Sequence, residues 1–172
     1  MTPRIRRVAV LASLASLAAV PALAADPVPD SRYAGQTIQL QNTLRFEFRT
    51  SADGSHAERL FTQFRTPNCE RARNGAQGSI RVPSIAIVDG AFSKRGKETA
   101  RLAPSGSFAG GSQVERYRIR GRFTTAETAQ GTLRVSVEVR NKAGDTIDTC
   151  VMGKRTVTWS AERLGVGPET VE

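Results

Sequence analysis

Four arginines alternate with other residues in the stretch 114–123, VERYRIRGRF: Arg116, Arg118, Arg120 and Arg122, with Tyr117, Ile119, Gly121 and Phe123 between them. On a β-strand successive side chains point to opposite faces, so this spacing sets four guanidinium groups in one row, roughly 6.6 Å apart. The chemistry open to such a row is anion recognition, because a planar guanidinium fork can bond a carboxylate or phosphate through two parallel hydrogen bonds. If 114–124 pairs as a hairpin with 132–140, Arg134 and Arg140 join the row, and Glu138 is the one acid on that face. The competing reading is a solvated face, on which arginine stems cover apolar surface while the heads stay wet, and on which Glu47 or Glu162 arrives from another strand.

Other reactive residues are few. His56 is the sole histidine and follows Asp53-Gly54-Ser55 in an expected turn, so an exposed loop position is its simplest reading. No G-x-S-x-G elbow, H-E-x-x-H pair or glycine-rich phosphate loop is present. Glu47, Glu58, Glu115, Glu138 and Glu162 read as strand residues rather than as a catalytic carboxylate pair. No catalytic residue, cofactor or metal site is therefore expected.

Cys69 and Cys150 are the two cysteines. They are too few for a zinc site and lack the C-x-x-C spacing of a redox pair, which leaves a structural disulfide. That bond belongs in an oxidising compartment. The N-terminus agrees: Arg4, Arg6 and Arg7 precede the apolar run 8–20, and Ala22-Leu23-Ala24 offers a small-residue cleavage site. This is the layout of a secretory signal peptide over residues 1–24, and the run is shorter than the roughly 20 apolar residues of a membrane span. No transmembrane segment is expected after cleavage, and the location expected is periplasmic or secreted. Loss of the three leader arginines lowers the formal charge of +9 by three and leaves the chain basic. Export makes nucleic acid an improbable partner, so anionic polysaccharide, lipid headgroups or acidic proteins are the candidates.

The elements that must position these residues are strands. Leu44, Phe46 and Phe48 alternate with polar residues, as do Leu133, Val135, Val137 and Val139, and Val157, Trp159 and Ala161. Period two with one apolar face predicts half-buried antiparallel strands. Turn signals at Asp53-Gly54, Asp89-Gly90 and Ala143-Gly144-Asp145 separate them. A strand at 57–64 offers Leu60, Phe61 and Phe64 to the core, short strands follow at 80–82, 85–88 and 91–94 around Pro83, and 96–111 reads as a loop. The pattern predicts one all-β domain over 36–164, an antiparallel β-sandwich or partly open barrel with one disulfide. Residues 25–35 read as a flexible lead-in and 165–172 as a tail.

YAGQT at 33–37, IAIVDGAF at 85–92, YRIRGRF at 117–123, AQGTL at 129–133 and the Cys150, Gly153, Trp159, Ala161, Arg163 series occur in that order. As a set they resemble a widespread group of small exported bacterial β-sandwich proteins, mostly without assigned function. The spacing from Cys150 to Trp159 is longer here than in that group. The resemblance implies the fold and compartment and carries no catalytic residue with it. The expectation is an exported, non-catalytic protein of the envelope or extracellular space that takes an anionic ligand or partner on its arginine face. The alternative is a cell-envelope enzyme or enzyme inhibitor whose site the sequence does not locate.

Overall fold

A computed structural model describes residues 24–39, 42–71, 75–102, 108–152 and 156–165 of the chain. The described residues form ten strands and no helix: β1 Arg32–Gln39, β2 Asn42–Thr50, β3 His56–Thr66, β4 Asn68–Cys69, β5 Ala76–Ala86, β6 Ala91–Arg101, β7 Ser112–Thr125, β8 Thr128–Arg140, β9 Thr146–Val151 and β10 Val157–Arg163. Residues 1–23 and 166–172, which carry most of the expected leader and tail, lie outside the described residues.

All ten strands pair antiparallel in one sheet that curls into a half-barrel. β8 is its hub. One edge pairs with β7 along its length, while the other is shared between β10 on its first half and β9 on its second. From β10 the sheet runs through β1, β2 and β3 to β5, and from β7 it ends at β6. β5 and β6 are consecutive in the chain, so the two ends of the sheet meet at one turn. Val88 and Ala91 exchange backbone hydrogen bonds of 2.9 and 3.0 Å there, with Asp89 and Gly90 at φ 50° and 66°. Positive φ at both central residues is what a tight hairpin matched to strand twist requires.

The inner face holds Tyr33, Phe46, Phe48, Phe92, Phe123 and Trp159, all buried. Phe46 stacks on Trp159 with centroids 4.0 Å apart, and Tyr33 stacks on Phe48 at 5.0 Å. Such pairs contribute about 0.5–1.5 kcal/mol each beyond the area they bury. Leu133, Val135, Val137 and Val139 face the same interior, as the alternation predicts. Cys69 and Cys150 stand opposite each other on β4 and β9 and are bonded, as expected.

Four expectations differ from the structure. Leu60 and Phe64 enter the core, but Phe61 has the opposite parity and lies outside, beneath the guanidinium groups of Arg45 and Arg81 at 5.6 and 5.1 Å. Pro83 does not break its strand: among the described residues β5 pairs only with β3, in a continuous register that sets Pro83 opposite Arg59, which lies at positive φ where the β2–β3 register shifts. The stretch 96–111 is not all loop, because pairing with β7 carries β6 through Arg101. The lead-in is tied down at several points. Ala25 donates its backbone N–H to Phe123, Asp30 donates to Ser51, and the Thr50 hydroxyl donates to the Val28 carbonyl at 2.7 Å.

Candidate functional site

The arginine row belongs to the outer face. Tyr117, Ile119 and Phe123 are buried on the inner side of β7, so Arg116, Arg118, Arg120 and Arg122 point outward. The β7–β8 register sets Arg118 directly opposite Arg134 and Arg116 opposite Ser136, which confirms the hairpin on which Arg134 and Arg140 were added. On the other flank β6 sets Arg95 opposite Arg118 and Lys97 opposite Arg116. Arg95, Arg118 and Arg134 thus form a single cross-strand rung of three guanidinium groups. Ending the strand at 94 and reading 96–111 as loop concealed this contribution from β6; the signal was the alternation Ser93, Arg95, Lys97 after Phe92.

Glu138 offsets part of this charge. It receives Arg116 and accepts a bond from Arg140 at 2.8 Å. The hydrogen bond from Arg140 leads the effects that hold its carboxyl below the ordinary glutamate range, with Arg116 adding to it. Among the described residues no such partner reaches the central rung. Among the described residues the buried Nε of Arg118 has no hydrogen-bond partner, and desolvation, then Arg120 and Arg95, lower the pKa of its guanidinium. Like charges directly opposite on paired strands oppose pairing. Neither acid considered as a neutraliser sits in the row: Glu47 is held by Arg32 at 3.0 Å and Arg45 at 2.7 Å on the β1–β2 side, and Glu162 pairs opposite Thr128, past the end of the row.

Beside the charged rung the outer face carries a cavity of about 880 Å³. It crosses β6, β7, β8 and β10 over three successive rungs: Ser93–Arg120–Thr132–Thr158, then Phe92–Gly121–Gly131–Trp159, then Ala91–Arg122–Gln130. The middle rung supplies no outward side chain. Phe92 and Trp159 turn inward, and their rings occupy the inner positions where Cβ atoms on Gly121 and Gly131 would lie, at 2.3 and 2.6 Å. The floor is therefore bare backbone, flanked by two arginines, three hydroxyls and one amide. Glycine inside a strand is a signal of such close approach. Gly121 and Gly131 could have been read that way, whereas Ser93, Gln130, Thr132 and Thr158 carry no local signal.

The remaining candidates make no reactive constellation. His56 is exposed, and its Nδ1 lies 2.7 Å from the Ser55 hydroxyl, which also donates to Asp53. Asp53 receives the Ser51 hydroxyl and both the N–H and hydroxyl of Ser55, which hold its carboxyl far below the usual range. The carboxylate bonds serine rather than the imidazole, so it cannot orient the ring as a relay does. Asp148 lies beside Cys69 and Cys150, but both sulfurs are in the disulfide and are not thiolate ligands.

The chain matches no protein-family model, no curated protein and no solved structure.

Proposed function

We propose that this chain is an exported, non-catalytic binding protein of the cell envelope or extracellular space, and that the outer face of β6, β7 and β8 holds an anionic polysaccharide. The observation that carries the reading is the Arg95–Arg118–Arg134 rung, which has no acid partner among the described residues while the neighbouring Arg116 and Arg140 have one. A protein that needed only solubility has no reason to set like charges directly opposite one another, where they destabilise the pairing. A polyanion relieves that repulsion when it binds. The cations recur about 6.6 Å apart along a strand and about 4.8 Å across strands, so a linear chain meets several of them at once. The signal-peptide layout, the disulfide and the resemblance to exported β-sandwich proteins support the compartment in which such polymers occur.

The test is elution from immobilised heparin under a salt gradient. The oxidised protein lacking residues 1–24 is expected to be retained, and Arg118→Ser with Arg134→Ser to elute at distinctly lower salt. Both positions are outward, and loss of a like-charge pair leaves the sheet intact. Equal elution of the two proteins would sink the proposal.

A further inference from the structure

Resting on that reading and deepening it, we infer that the cavity beside the charged rung is a subsite for one sugar-acid unit of the bound polymer, a ring with hydroxyl groups and a single carboxylate. Its volume of about 880 Å³ lies within the roughly 300–1,000 Å³ of small-molecule sites. Between the outward rows of Arg120 and Arg122 the floor is the backbone of Gly121 and Gly131, whose inward side is filled by the Phe92 and Trp159 rings, so a flat ring can lie directly on the sheet there. Arg120 and Arg122 follow each other on one strand with that glycine between them, so both guanidinium groups rise from the same side of the floor. They take the carboxylate.

The other polar groups fit a polyhydroxylated body better than a bare anion. Ser93 stands across from Arg120 on β6, Thr132 and Thr158 continue that rung on β8 and β10, and Gln130 stands opposite Arg122. Hydroxyl and amide groups both donate and accept, which is what sugar hydroxyls require. A phosphate or sulfate alone would use the arginines and leave these four groups facing water. The wall nearest the β5–β6 turn is apolar, formed by Ala86, Val88 and Ala91, with Val88 66% exposed. That wall suits the C–H face of a pyranose ring.

The experiment is calorimetric titration of the oxidised protein with a galacturonic acid trisaccharide, set beside the uncharged maltotriose and inorganic phosphate. The trisaccharide is expected to bind and the other two to bind at least about tenfold more weakly, because a site built for both groups loses affinity when either is missing. Thr132→Val with Thr158→Val keeps β-branched residues in the strands and is expected to weaken the trisaccharide by about tenfold while lowering the salt of elution from heparin by less than Arg118→Ser with Arg134→Ser does. Ser93→Ala, on a different strand, is expected to act in the same direction. Arg118→Ser with Arg134→Ser is expected to do the reverse, eluting early from heparin with trisaccharide affinity retained. Phosphate binding as tightly as the trisaccharide would overturn the sugar-acid assignment in favour of a bare-anion or headgroup site. Unchanged trisaccharide affinity in folded Thr132→Val/Thr158→Val and Ser93→Ala proteins would overturn the subsite itself. Heparin retention that ignores the central arginines would overturn the face reading instead.

Discussion

Two glutamates on adjacent strands of the same hairpin are treated in opposite ways. Glu138 faces outward between Arg116 and Arg140, which favour its ionised form. Glu115 faces inward and is buried, accepting a 2.7 Å bond from Gln113; desolvation, with a contribution from Glu98, raises its pKa. A carboxyl whose pKa is raised on folding favours the native state while it is protonated, and that advantage is lost as the pH climbs from the ordinary value through the raised one. Glu115→Gln is therefore expected to raise the thermal midpoint at pH 7, by the equivalent of up to about 1 kcal/mol, and to change little at pH 4. Melting curves at both pH values check this, and equal shifts at both would show that the effect is packing rather than charge. The parity of the arginine row was legible in the sequence because Tyr117, Ile119 and Phe123 fix the buried side. The fate of each glutamate was not, because it depends on which residue a neighbouring strand sets opposite.

Strands show where local patterning stops being enough. Leu133 to Val139 alternates without interruption and its burial follows directly, whereas Leu60-Phe61 is ambiguous until the β3 register is known. Lysine, glycine and threonine disguise β6 as a loop, since an edge strand with one neighbour has little core to build and can afford such residues. The paired glycines of β7 and β8 are the clearest case of an element shaped from across the sheet. A Cβ on Gly131 would lie 1.9 Å from the Arg120 carbonyl oxygen and 2.6 Å from the Trp159 ring. Gly131→Ala is expected to destabilise by about 1–3 kcal/mol through this overpacking, although alanine suits an unhindered strand better than glycine. Chemical denaturation measures it, and a neutral outcome would mean that backbone and indole both move aside. The same substitution is expected to alter the fluorescence of Trp159, the chain's single tryptophan.

For the molecule as a whole, an all-β fold with one disulfide was legible from alternation, turn residues and cysteine count. The partly open barrel was one of the two forms the pattern allowed, and alternation alone does not choose between it and a sandwich, because both share the same period and differ only in which strands become neighbours. Here β8 binds three partners and β1 joins β10, pairings that no local pattern announces. The Cys69–Cys150 bond spans 81 positions and ties the short β4 to β9. On the chain-entropy model a loop of that length contributes about 4.5 kcal/mol, an upper figure that native strain lowers. Cys69→Ala with Cys150→Ala is expected to lose about 2–4 kcal/mol in urea unfolding. A loss below about 0.5 kcal/mol would mean that the unfolded chain is already held together in other ways.

The junction of β1 with β10 also imposes an order in time. β1 pairs with β2 on one edge and with β10 on the other, and β10 is the last strand described. A polypeptide delivered N-terminus first can form the β1–β2 hairpin early but must keep the far edge of β1 unsatisfied until β10 has arrived. Long-range closure of this kind is slow compared with hairpin formation. Closure of the sheet along that edge of β1 thus waits on a strand far along the chain.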